Sequence, residues 1–177
     1  MAINIFLKPT NTLKDSLENP SLILSLIIVI ISAIPLSILI FLGSNNFFIT
    51  GILLLSFIIN WLVLSIVFWT FSFMFIPKKT KVQSNFIGIL TATSKLWLFL
   101  FLIGVFTLFS LLGNIFTVIA GIMIFILSIL LIIDSFILMK IIIDTNNTKV
   151  FLLWILAVIL YTLINSIAFG ITTLLIL

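Results

Sequence analysis

The feature that most constrains this chain is the stretch between Lys95 and Asp134. Residues 96–133 contain no charged side chain, and Gly113-Asn114 interrupts them near the middle. Two membrane-spanning helices joined by a tight turn account for that pattern. At a rise of ~1.5 Å per residue, Lys95 lies ~28 Å from the turn along one arm and Asp134 ~31 Å along the other. Both lengths match a hydrocarbon core of ~30 Å, so the two charges are expected at one level on the same side of the membrane.

That hairpin serves as a ruler for the other apolar runs. Spans are expected at about 21–42, 47–76, 96–112, 115–134 and 150–176. The fold class is an all-α polytopic membrane protein with five transmembrane helices. Pro35 falls in the outer half of the first span, where it is expected to kink the helix. Residues 1–20 form a polar N-terminal segment with Ile3, Phe6, Leu13 and Leu17 at helical spacing. Short amphipathic turns at the membrane surface are expected there, capped by Thr10, Asn11 or Thr12 and ended by Asn19-Pro20. It makes a poor secretory signal, so the first span is read as an anchor.

Two further segments, 77–95 and 135–149, are expected as cytoplasmic loops. Phe86, Ile89 and Leu90 share a helical face, which reads as an interfacial helix leading into the third span. Starting that span at Phe86 instead would draw Lys95 into hydrocarbon, at ~2.5–3.5 kcal/mol on insertion scales.

All eight lysines test the five-span count. Lys8 and Lys14 precede the first span; Lys78, Lys79, Lys81 and Lys95 lie between the second and third; Lys140 and Lys149 lie between the fourth and fifth. They fall on one side only, and the positive-inside rule makes that side cytoplasmic, giving N-in and C-out.

Composition excludes much chemistry. Charged residues are 7% and hydrophobic residues 64%, against ~25% charged in a soluble domain. There is no Cys or His, and the only acids are Asp15, Glu18, Asp134 and Asp144. Thiol nucleophiles, thiolate metal sites and Ser/His/Asp sets are therefore ruled out, and no phosphate-binding glycine loop occurs. No catalytic, cofactor-binding or metal residue is assigned, no cofactor is expected, and the reading is non-enzymatic. The net charge of +4 is a topology signal, with no nucleic-acid footprint.

The order of parts resembles the Yip family, small five-span membrane proteins whose eukaryotic members interact with Rab-type GTPases. The resemblance rests on a Phe6-x-x-Pro9 opening, Asn19-Pro20 before the first span, and a lysine-rich inner loop before a short hairpin of spans three and four. The short N-terminal segment places it nearer the prokaryotic relatives. The resemblance implies a non-catalytic adaptor or organiser linked to membrane trafficking or complex assembly. Its expected partners are membrane lipids, a cytoplasmic-face or membrane protein, and a second copy of the chain. The expected location is the plasma membrane in a prokaryote and the ER or Golgi in a eukaryote.

Three sets of candidate residues stand out. Lys95 and Asp134 are expected as an interfacial ion pair, with snorkelling or a proton-linked role for Asp134 as alternatives. Lys78, Lys79 and Lys81 either contact anionic lipid or a partner, or serve as topogenic charge alone. Asn60, Asn165 and Ser166 are expected as intramembrane polar contacts that hold helices together or line a small polar pocket. A transport component, either a small permease or the membrane subunit of a transporter, is the competing function.

Overall fold

In a computed structural model, the chain is described over residues 4–75 and 85–176, with side chains other than those of 4, 7 and 167–176. The described residues form α-helices and one 3-10 turn, without a strand. Two short helices come first, α1 (Asn4–Leu7) and α2 (Pro9–Glu18). Five long ones follow: α3 (Leu22–Ser44), α4 (Phe47–Phe75), α5 (Phe86–Phe109), α6 (Asn114–Ile143) and α7 (Asn147–Ile176). All five are long and apolar enough to cross a membrane, so the chain is a five-span helical membrane protein.

Local chemistry sets the helix ends. Ser21 caps α3 by accepting from the Leu24 N–H at 3.3 Å, and Asn46 caps α4 by accepting from Phe48 at 2.9 Å. Asn85 caps α5 by accepting from Ile87 at 3.1 Å. Asn45 and Asp144 adopt left-handed backbones that end α3 and α6, the usual stop that exposes no further carbonyl run. The Ser110–Leu112 turn joins α5 to α6 through Gly113, whose φ of +135° only glycine adopts without strain.

The N-terminal caps differ from the sequence expectation. Neither Thr10, Asn11 nor Thr12 caps α2. Pro9 occupies its first turn, where the missing N–H costs nothing, and Lys8 breaks the chain between α1 and α2.

Cross-helix contacts fix the directions. Trp61 of α4 meets Leu90 and Thr93 of α5, and Trp69 meets Phe86, so α4 and α5 run antiparallel. Ser21 of α3 meets Thr91 and Pro35 meets Gly104, so α3 and α5 run parallel. Short turns reverse the chain between α3 and α4, α5 and α6, and α6 and α7. The five described lysines, Lys8, Lys14, Lys95, Lys140 and Lys149, therefore gather at one end.

That end is the most tightly packed part of the molecule. Gly88 to Ser94 of α5 are all buried, as are Leu138, Met139, Ile142 and Ile143 of α6, Val150 of α7, and Ile5, Leu13 and Leu17 of α1 and α2. At the other end Phe47, Phe48, Leu111, Leu112 and Ile115 are exposed. The contrast has a physical cause. Water drives apolar side chains together, whereas lipid tails solvate them as well as Leu does, so outward-facing Ile and Phe need no cover within the bilayer.

The helices also overrun the expected spans. The lead-in expected as an interfacial helix is one piece with the third span, since α5 runs unbroken from Phe86 through Lys95. Likewise α6 continues past Asp134 to Ile143. Measured from the Gly113 turn, the segments beyond Lys95 and Asp134 extend ~14 Å past the ~30 Å core. They form a protein-packed head that α1 and α2 complete.

Candidate functional site

Two groups of chemistry-bearing residues emerge: a hydroxyl seam between α3, α4 and α5, and the charged head. In the seam, Trp61 donates its indole N–H to the Leu90 carbonyl and the Thr93 hydroxyl, both at 3.1 Å. The hydroxyls of Ser65 and Thr93 lie 2.6 Å apart and share a hydrogen bond. Ser65 also donates back to the Trp61 carbonyl at 2.7 Å. Trp61 and Ser65 are one turn apart on α4, which puts both on the face that meets Thr93.

Other buried hydroxyls in the seam bond to their own helix. Ser25, Ser32 and Ser37 of α3 donate to the carbonyls of Ser21, Ile28 and Ala33, while Ser72 of α4 donates to Trp69. This satisfies each polar group where no water is available and keeps the helix surface small enough for close approach. Close approach is clearest where α5 crosses Pro35. A Cβ added at Gly104 would lie 2.9 Å from Pro35 Cβ and 3.2 Å from Leu36 Cγ. Helix α3 passes through Pro35 as one helix, and Gly104 leaves room for the proline ring at the crossing.

Two buried polar groups lie outside this bonding scheme. The Trp97 indole N–H is buried and has no hydrogen-bond partner among the described residues. Asp134 is 3% exposed on the face of α6 that also carries Ala120, Leu127 and Leu138. Neither a hydrogen bond nor an ion pair to the Asp134 carboxylate occurs among the described residues.

The expected Lys95–Asp134 pair is not made. The charge that acts on the half-buried Lys95 is Asp15 of α2. Lys95 lies seven residues after Gly88, hence on the same face of α5, and Gly88 packs against the backbone of Leu17. Asp15 thus acts on Lys95 from the N-terminal segment without closing an ion pair among the described residues, its carboxylate accepting from Asn19 at 2.9 Å. Equal height along two helices does not place two side chains on facing surfaces.

The intramembrane polar candidates also fall differently. Asn165 faces the Tyr161 hydroxyl one turn away, on its own helix. Ser166 is exposed, and Asn60 is half-buried with no hydrogen bond among the described residues. Among the described residues, bonds between these helices come instead from Trp61 and Ser65 of α4 and from Thr91 and Thr93 of α5, with Trp61 the neighbour of Asn60. Trp154 of α7 adds another, donating to the Ser135 hydroxyl of α6 at 3.0 Å. The i,i+4 spacing of Trp61 and Ser65 and the run Thr91-Ala92-Thr93-Ser94 were the available signals. Assigning 77–95 to a loop kept those hydroxyls out of the bundle.

Lys78, Lys79 and Lys81 lie outside the described residues. Lys8, Lys14, Lys140 and Lys149 are exposed at the head, beside the exposed acids Asp15, Glu18 and Asp144. No cluster of three His, Cys, Asp or Glu side chains capable of holding a metal occurs among the described residues. Comparison of the chain with protein-family models, curated proteins and solved structures finds no match.

Proposed function

We propose that this protein is a non-catalytic membrane adaptor or organiser of the Yip type, with the lysine-bearing head in the cytoplasm and the C-terminus outside. One observation carries the reading. The polar side chains between α3, α4 and α5 bond to each other and to helix carbonyls, which holds the bundle shut. Polar groups used this way give rigidity, at ~0.6–2 kcal/mol per bond between helices, and leave the head as the surface for contact. Exposed lysines there favour anionic headgroups, at ~1 kcal/mol each near the surface.

The test is cross-linking in intact cells followed by affinity purification. An adaptor yields a defined partner that is lost when Lys78, Lys79 and Lys81 are changed to Gln. Recovery of the same partners by wild type and the triple variant would overturn the platform reading.

Asp134 and Trp97 favour a second reading, a transport component, because buried polar groups without partners mark substrate or ion pathways. That reading requires solute flux in proteoliposomes, abolished by Asp134→Asn or Asn60→Leu.

A further inference from the structure

We infer that α1 and α2 form a releasable strap over the head, hinged at Asn19-Pro20 and seated on α5 by its apolar inner face. Four observations on separate residues place the strap. Ile5, Leu13 and Leu17 are buried on its inner face while Lys8, Lys14, Asp15 and Glu18 are exposed on its outer face. Phe6 meets Phe99 of α5 edge to face at 4.8 Å. Gly88 lets the strap approach so closely that an added Cβ would lie 2.9 Å from the Leu17 carbonyl oxygen. The Thr91 hydroxyl accepts from the Ser21 N–H at 3.1 Å, tying down the hinge end.

The same geometry makes the strap separable. It is helical in two short pieces, and its backbone is non-helical at Lys8 and again at Asn19 (φ −119°, ψ 69°), just before Pro20. A ten-residue helix has little stability of its own and depends on its apolar face finding a seat. Across the seat, the Asp15 charge acts on the half-buried Lys95 without an ion pair between them among the described residues. An exposed carboxylate acting on such a lysine holds it weakly enough to let go. Release would uncover Lys95 and the apolar inner ends of α5 and α6, presenting a cation at the rim of an apolar cleft. The strap would work alike in an adaptor or in a transport component.

The chain has no cysteine, so single cysteines report strap position directly. Leu13→Cys and Lys14→Cys are neighbours on opposite faces of α2, one buried and one exposed. Each is made in the full-length protein, placed in lipid nanodiscs and reacted with a membrane-impermeant maleimide. A seated strap makes Leu13→Cys react at least about tenfold more slowly than Lys14→Cys, since reaction must await local opening. Adding Asp15→Asn should speed Leu13→Cys about twofold, and Gly88→Leu should bring it close to the Lys14→Cys rate. Glu18→Gln, exposed on the same helix, should leave it unchanged. Equal rates for the two cysteines in otherwise unaltered protein would overturn the seat. Unchanged protection under both Asp15→Asn and Gly88→Leu would show a fixed part of the bundle and overturn release. Because Asp15 is on the surface, its variant tests release even where Gly88→Leu fails to fold.

Discussion

Two tryptophans on facing helices make opposite predictions for the same substitution. Trp61 is 1% exposed and its N–H has two acceptors; Trp97 is 3% exposed and its N–H has none among the described residues. Replacing either by Phe removes the same atoms from a buried position, so the packing losses largely cancel in a comparison. The N–H contributions do not. Losing the Trp61 bonds costs ~1–1.5 kcal/mol net, whereas removing the unsatisfied Trp97 donor relieves a desolvation penalty of ~1–3 kcal/mol. Trp61→Phe should therefore be less stable than Trp97→Phe by ~2–4 kcal/mol. Reversible unfolding in mixed micelles of rising SDS content, followed by circular dichroism, measures the difference. Equal losses for the two variants would mean that the Trp97 N–H is bonded after all, and would refute the reasoning.

The glycines give a graded series. Gly104→Val should destabilise by ~1–3 kcal/mol because its Cβ would meet Pro35 at 2.9 Å, while Gly121→Ala, with open space around it, should fall within ~0.5 kcal/mol of wild type. Double-mutant cycles separate the two possible partners of Lys95. Asp15→Asn with Lys95→Gln should couple, by roughly 0.5 kcal/mol after solvent screening, and Asp134→Asn with Lys95→Gln should be additive. A coupled Lys95–Asp134 cycle would contradict the placement of these side chains. Orientation is read by fusion: a reporter active only outside the cell should work after Leu177 and be silent after Lys81, and the reverse would sink the N-in arrangement.

The number of spans was legible because an uncharged apolar run of the right length has few other fates. Helix ends were less so. Charges locate where hydrocarbon stops, but Asn85 and Asp144 show that the helices stop where a cap is available, about ten residues beyond the charge in each arm. Side-chain partners were the least legible. Spacing assigns Asn60, Trp61 and Ser65 to positions around α4, yet which of them meets α5 depends on how the helix is rotated in the bundle. The prominent polar residue, Asn60, turned out to be a neighbour of the contact, and Trp61 made it. Asp15 was equally hidden, because a surface acid in a short polar segment gives no sign that its charge acts on a lysine 80 positions away in the chain.

The separation in chain position between the strap and its seat orders events during synthesis. Leu17 and Gly88 lie 71 residues apart, and Ser21 and Thr91 lie 70 apart. At a ribosomal pace of ~5–20 residues per second, Ile5, Leu13 and Leu17 leave the exit tunnel seconds before the helix they cover has been made. The amphipathic segment must meanwhile lie on the bilayer surface or be held by a chaperone. Closure over Gly88 then becomes possible only once the third and fourth spans are in place, which makes it a late step of assembly. A chain truncated before α5 should carry a protease-sensitive N-terminus, and the completed protein a protected one.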